Sequence, residues 1–360
     1  MSTTIHFDER YTKKLLDGFN AASETDDMFS HELDMEFSGV KTVHVTSLKT
    51  EELQDYDRNK NVSTGSRYGD TKEVGDVVQT FTMTQDKSLS LSVDKGNNKE
   101  TMDKKKVGKV MKAHRDERIV PALDTYRLNK WAKDAGIHEE LAAAPTKQTI
   151  VTQILELHNK MLDAGVPDQL QLRVRRDFLP TLKLSTEWTA LDSLGGKTLP
   201  KGCIGEFDNM AVKPMSTKRM PANVPFMITF KGSLISPVKI NDFKGHIDPP
   251  GLSGDLIEFR MMYDAFVLGK KAAGCAVACL PGTVTKTPTI TMDGAKATIA
   301  CASANPTIYY TLDGSDPRYS TDAKVYTAPL NLANGDELRA YAVSANLYNS
   351  AVAEKDYKAG

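Results

Sequence analysis

The chain carries four cysteines, Cys203, Cys275, Cys279 and Cys301. Cys275 and Cys279 lie close together in AAGCAVACLPG, but a metal needs further Cys or His partners at close spacing and none follows. The run reads as a buried apolar strand and its thiols as structural. His44, within the alternating VKTVHVTSL, falls on the polar side of a strand, where a lone histidine reads as a surface residue. Gly65, Gly69 and Gly75 make a pliant tip, but no G-x-x-x-x-G-K-[ST] pattern and no following helix supports a phosphate loop. Arg173, Arg175 and Arg176 form a basic triplet. It either grips phosphate or a neighbour's carboxylates, or defends a solvated strand edge; the edge is the preferred reading. Acids are abundant, yet no local motif singles out the carboxylate pair that glycoside hydrolysis needs. No Ser/His/Asp order, metal cluster or nucleotide loop stands out, so neither catalysis nor a cofactor nor a metal is expected.

The elements that would position these residues are those of an ordinary soluble protein. Of 360 residues, 40% are apolar and 26% charged, enough for two or three domains with a sizeable core. The formal net charge of −1 excludes a nucleic-acid binder held by bulk electrostatics, which needs an excess of Lys and Arg. MSTTIHFDERYTKKLL lacks a basic n-region followed by an apolar run, and no transmembrane-length stretch occurs later. The expectation is therefore a chain made and kept in a cytoplasm, with no membrane contact.

One long helix dominates the pattern. Val107, Val110, Met111 and His114 fall at i, i+3, i+4 and i+7 within residues 98–133, while lysines crowd the other faces. Pro121 predicts a kink or break, with Val120 pushed out of the helical region and a second helical piece through Trp131. Such a strut would run about 50 Å at about 1.5 Å per residue. Before it, residues 57–94 read as a long hairpin with strands Val77–Thr84 and Ser88–Val93 and a Gly-rich tip. Two such strands are only marginally stable without a covering surface, so a partner is implied. Residues 1–40 lack periodicity and read either as an arm able to lie across a neighbouring subunit or as a floppy terminus. Gln148–Asp163 is a shorter amphipathic helix, with Ile150, Ile154, Leu157 and Met161 on its apolar side. Short strands between Gly202 and Cys279, mixed with few helices, make the class α+β. Residues 281–288 mark a linker, and residues 289–360, nearly all strand and turn, predict a small β-sandwich.

These residues resemble a known family. Tyr56-Asp57-Arg58 before the Gly-rich tip, Thr82 to Asp94, Ile119 to Arg127 (IVPALDTYR), Gly205 to Val212 (GEFDNMAV) and Tyr263 to Leu268 (YDAFVL) are similar to segments of the major capsid proteins of tailed bacteriophages. The similarity covers roughly residues 40–275. Independently, Tyr310 to Pro317 (YTLDGSDP), Tyr326, Pro329-Leu330 and Leu338 to Ala342 (LRAYA) resemble the immunoglobulin-like module at the C-terminus of chitobiase-type glycosidases, an accessory without catalytic residues.

The resemblance implies a tailed-phage capsid fold with an N-terminal arm (1–40) and a body (41–280). Within the body it implies an extension loop (56–94), a spine helix (98–133), an axial domain (about 166–225) and peripheral-domain strands (about 226–280). It implies hexamers and pentamers in an icosahedral virion shell around double-stranded DNA, assembled in a bacterial cytoplasm. It further implies a separate scaffold protein, a portal and decoration proteins. On that basis Arg58, Arg67, Asp70, Lys72, Glu73 and Asp76 are the expected inter-subunit contacts of the loop, fixing register more than adding affinity. Lys105, Lys109 and Lys112, with Lys104 and Lys106, give the strut a basic side that either faces packaged DNA by weak contacts or pairs with nearby acids. Lys60, Lys72 and Lys87 are available for crosslinking, but nothing identifies an acceptor, and neither crosslinking nor cleavage of the short arm is expected. The sandwich would protrude outward, with host glycan as one ligand for it. The rival readings are a carbohydrate-binding or carbohydrate-active protein and another virion structural protein such as a tail tube.

Overall fold

The computed structural model describes residues 23–30, 37–38, 42–48, 53, 55–60, 66–69, 71, 73–74, 76–100, 106–185 and 202–357. Its centre is a six-stranded mixed sheet, in the order Ile137–Glu140, Cys275–Cys279, Phe226–Phe230, Leu170–Arg175, Met210–Met215, Gly205–Phe207. Alternation in CAVAC sends Ala276 and Ala278 to one face and Cys275, Val277 and Cys279 to the other, all buried. The helix Ile150–Asp163 lays Ile150, Ile154, Leu157 and Met161 on the first face against Leu172, Val174 and Phe226. Each such side chain contributes about 1.5–3 kcal/mol on burial. The second face packs against Leu128, Trp131 and Ala132 of the long helix. Burial raises the Cys275 thiol to about 12 and raises Cys279 as well, so both are apolar fillers, as their spacing suggested.

Two of the basic triplet, Arg173 and Arg175, do not lie on a solvated edge, while Arg176 follows the strand and is exposed. Leu170–Arg175 is an interior strand, and Arg173 is 1% exposed, paired with Asp27 at 3.0 Å. Arg175 is buried too, forked onto Asp177. A guanidinium can occupy an interior strand when its chain packs with the sheet and a carboxylate meets its head.

The helix expected over 98–133 begins later: Lys106 is extended (φ −70°, ψ 136°), and Val107–His114, a π-helical turn Arg115–Ile119 and Val120–Lys133 follow one another, while Lys95–Glu100 is a separate short helix. Residues 101–105 lie outside the described residues. The expected break at Pro121 is absent, and Val120 is helical (φ −59°, ψ −50°). Pro121 instead occupies the first turn of Val120–Lys133, and the turn before it widens so that Val120 N–H donates to Arg115 O. Proline brings no N–H and crowds the carbonyl four residues back, and a wider turn relieves both problems without ending the helix.

The expected hairpin is also wired differently. Asp76–Thr82 pairs antiparallel with Thr42–Leu48, with Val43 opposite Phe81. Gln85–Asp94 leaves for another sheet, pairing with Gly254–Tyr263, which pairs in turn with Val238–Ile247. The intervening Met83 and Thr84 cannot make a two-residue reversal, which favours Gly or Asn at positive φ. Met83 is buried, and Thr84 is held by Asp264 through its N–H (2.7 Å) and hydroxyl (3.0 Å). The chain therefore runs straight from one sheet into the next.

Residues Ser23–Ser30, read as arm, fold onto the chain's own body, with Met28 and Phe29 buried beside Trp131. Beyond residue 288 two sheets face each other. One holds Thr289–Asp293, Lys296–Ala300 and Leu330–Asn331; the other holds Lys324–Val325, Thr307–Thr311, Glu337–Val343 and Ala353–Asp356. Ile299, Ile308, Leu332, Leu338, Ala340 and Ala342 fill the space between. The connection to this sandwich is packed: Val284 and Thr285 are buried, and Thr285 N–H donates to Tyr348 O at 3.0 Å.

Candidate assembly interface

Three of the segments that carry the capsid resemblance, Thr82–Asp94, Ile119–Arg127 and Tyr263–Leu268, converge at the root of the hairpin. Tyr126, on the long helix, donates its hydroxyl to Asp264 Oδ1 at 2.7 Å, and its ring meets Tyr263 edge-on at 5.4 Å. Asp264 is fully buried and also accepts from Thr84 and from Ala265 N–H. Burial, aided by the Asp264 charge, pushes the Tyr126 phenol up to about 12. One carboxylate thus gathers the end of the hairpin strand, the long helix and the turn after Tyr263. Beside it Phe81 stacks on Phe266 with centroids 4.5 Å apart, and Val43, Ile235 and Leu268 complete a small apolar core. The hairpin's base is therefore rigid.

Its far end is the opposite. Leu48, Leu53, Tyr56, Tyr68 and Val74 are all exposed, Tyr68 to 81%. Large apolar side chains left exposed along one connection are the kind of surface that association can cover. The tip is ordered by its own bonds. Asp57 N–H donates to Arg67 O (3.0 Å), Arg67 Nε donates to Lys60 O (2.6 Å), and the Tyr56 and Tyr68 rings contact edge-on at 5.1 Å. Gly69 turns the chain at φ +81°.

Of the loop charges expected to contact a neighbour, Arg58 and Glu73 are exposed. Arg67 is partly spent on the loop's own backbone. Asp70 and Lys72 lie outside the described residues, as does the side chain of Asp76, whose backbone begins the strand Asp76–Thr82. Lys109 and Lys112 are exposed on Val107–His114, and Lys105 lies outside the described residues. Pro121 sits just after the widened turn.

A second constellation was not anticipated. The acids of Ser23–Ser30 meet bases drawn from a helix, two strands and a turn: Asp26 pairs with Arg127 (2.9 Å), Asp27 with Arg173 and Lys213 (each 3.0 Å), and Glu24 with Arg219 (3.9 Å). Buried Asp124 lies among them, accepting from Ser23 and Thr25 hydroxyls, Glu24 N–H and Arg219 Nη1. Four acids thus balance four bases, which is how a charged cluster tolerates burial. Burial opposes ionisation of Asp27, but Arg173 and Lys213 outweigh it and hold its carboxyl below the usual range. The only sequence signal was the acid run Glu24-Thr25-Asp26-Asp27, whose partners lie far along the chain.

Among the described residues no group of three His, Cys, Asp or Glu is placed to hold a metal ion, and no helix is long and apolar enough to cross a membrane.

Comparison with known proteins adds two findings. A family model described as "Fn3 associated" matches residues 297–357. No curated protein matches the sequence. Among solved structures, a chain of Mycobacterium phage Che8 is similar at 15% identity, over 77% of this chain and 98% of that one, with a TM-score of 0.54. A chain in the capsid structure of Cyanophage P-SCSP1u aligns at 9% identity over 76% and 93%, TM-score 0.57. One from the mature capsid of bacteriophage PhiM1 aligns at 12% over 76% and 92%, TM-score 0.56. At these identities the likeness is one of fold: the chain is α+β, with the architecture of phage capsid proteins over some three-quarters of its length and an immunoglobulin-like β-sandwich at its C-terminus.

Proposed function

We propose that this chain is the major capsid protein of a tailed bacteriophage, a non-enzymatic subunit that assembles into hexamers and pentamers of an icosahedral shell around double-stranded DNA. The observation that carries this reading is the hairpin: a base locked by Asp264 and a tip that leaves Leu53, Tyr56, Tyr68 and Val74 in solvent. A rigid arm with an apolar end gains its stabilisation from a neighbour, and symmetry repeats the contact around the shell. In this proposal residues 56–94 are the extension loop, 98–133 the spine, about 166–225 the axial domain and about 226–280 the peripheral strands. Arg58 and Glu73, with Asp70, Lys72 and Asp76, set register with the next subunit. Lys105, Lys109 and Lys112 face DNA weakly. A separate scaffold and a portal complete assembly in the bacterial cytoplasm, and the sandwich, of the chitobiase C-terminal kind, lies outward.

Negative-stain electron microscopy of a lysate expressing the chain tests the reading. Closed shells, tubes or hexagonal sheets of uniform units are expected. Only small monodisperse particles, persisting when a candidate scaffold is co-expressed, would overturn it.

A further inference from the structure

The loop Asp316–Asp322 of the sandwich reaches the end of the long helix. Helix C-termini leave carbonyls without partners inside the helix, and the backbone dipole concentrates negative charge there. Here two of the carbonyls just past Lys133 are met from the sandwich: Tyr319 donates its hydroxyl to Asp134 O at 2.8 Å, and Arg318 Nη1 donates to Gly136 O at 2.6 Å. Arg318 is aimed by Asp316, which accepts from its Nε and Nη2. The Asp134 carbonyl belongs to the helix cap, whereas Gly136 O lies in the connection to Ile137–Glu140, so Tyr319 caps the helix and Arg318 ties down the segment that follows it.

The same tyrosine sits on the hairpin's support. A Cβ added at Gly269 would come within 2.6 Å of Tyr319 Cβ and 3.1 Å of Gln79 Oε1, so this position has no room for a side chain. Gly269 N–H in turn donates to Gln79 Oε1 at 2.8 Å, and Gln79 lies in the hairpin strand Asp76–Thr82. Other contacts hold the sandwich on the edge strand Ile137–Glu140. The His138 ring stacks on Tyr348 at 5.4 Å, Lys286 pairs with Glu140, and Gly282 N–H donates to Glu140 Oε1 at 2.6 Å.

We propose that the C-terminal sandwich is an intramolecular brace: through Tyr319 it caps the long helix, through Arg318 it holds the segment that follows, and by way of Gly269 and Gln79 it fixes the angle at which the hairpin leaves the body. This role stands on contacts within one chain and holds whether or not the chain builds shells.

Hydrogen–deuterium exchange on the purified full-length chain tests it, comparing the wild type with Arg318→Ala and Tyr319→Phe. Peptides covering 128–136 and 76–82 are expected to exchange about fivefold or more faster in both variants, while the sandwich core at 296–300 and 338–342 keeps its wild-type rate. Acceleration confined to 313–322 would overturn the brace. Gly269→Ala guards against variants that unfold the sandwich itself, since it displaces Tyr319 from the body side; because the added methyl also presses on Gln79, only its effect at 128–136 bears on the brace. Faster exchange is expected at 128–136, and an unchanged rate there would also refute the proposal.

Discussion

Tyr126 and Asp264, 138 residues apart in the chain, share a 2.7 Å hydrogen bond at the point where the hairpin, the long helix and the turn after Tyr263 meet. Asp264 satisfies three further donor groups on Thr84 and Ala265. Replacing it with alanine leaves the buried Ala265 N–H and the part-buried Thr84 donors without this partner, and the expected loss is about 2 kcal/mol, against about 1 kcal/mol for Tyr126→Phe. Urea midpoints of the two variants measure this. A midpoint for Asp264→Ala equal to the wild type would show that the carboxylate does not hold the root.

His138 provides a pH test at the junction with the sandwich. Burial, with the Arg318 charge nearby, lowers its imidazole from the ordinary 6.5 to about 4, so the folded protein prefers it neutral. Its contribution is complete above 6.5 and is lost as pH falls towards 4, a window worth about 3 kcal/mol. The stability difference between the wild type and His138→Gln should therefore narrow between pH 6.5 and 4; a constant difference would contradict this.

Thiol chemistry probes the six-stranded sheet. With Cys275 raised to about 12 by burial, its thiolate at pH 8 is scarcer by about a thousandfold than that of a free cysteine. Iodoacetamide should modify Cys203 and Cys301, which are partly exposed, and spare Cys275 and Cys279 until the chain unfolds. Rapid native labelling of Cys275, located by peptide mass mapping, would mean that the sheet is not closed as described.

The hairpin tip separates folding from association. Tyr68→Ser removes an aromatic ring that is almost wholly in solvent, so the stability of the single chain should change by less than about 0.5 kcal/mol. Assembly, read by sedimentation velocity, should fall sharply. Normal particles from this variant would place the decisive contacts elsewhere.

How much of this was legible in the sequence depended on the distance between partners. The alternation of CAVAC, the apolar side of Ile150–Met161 and the strand-and-turn rhythm after residue 288 are local patterns, and each formed the expected element. Pairing was not legible in the same way. Val77–Thr84 and Ser88–Val93 look like two arms of one hairpin because they are adjacent and both alternate. What separates them is Asp264, which holds Thr84 across 180 residues. Arg173 looked like an edge residue for the same reason: its partner Asp27 lies in a segment with no periodic signal. The charges Arg58 and Glu73 were legible as exposed loop residues, and the aromatics Tyr56 and Tyr68 are exposed beside them.

The widened turn at Arg115–Ile119 bears on how one rod serves two bodies. An added residue in a single turn advances the helix by about 100° relative to an unbroken one. Val107, upstream, faces the three-stranded sheet at Gly245, and Leu128 and Trp131, downstream, enter the main core. The turn works as a gear offset, setting the phase between the two engagements. Removing one residue from it would leave a good helix whose halves could no longer both mesh, so length here should be guarded more strictly than side-chain identity.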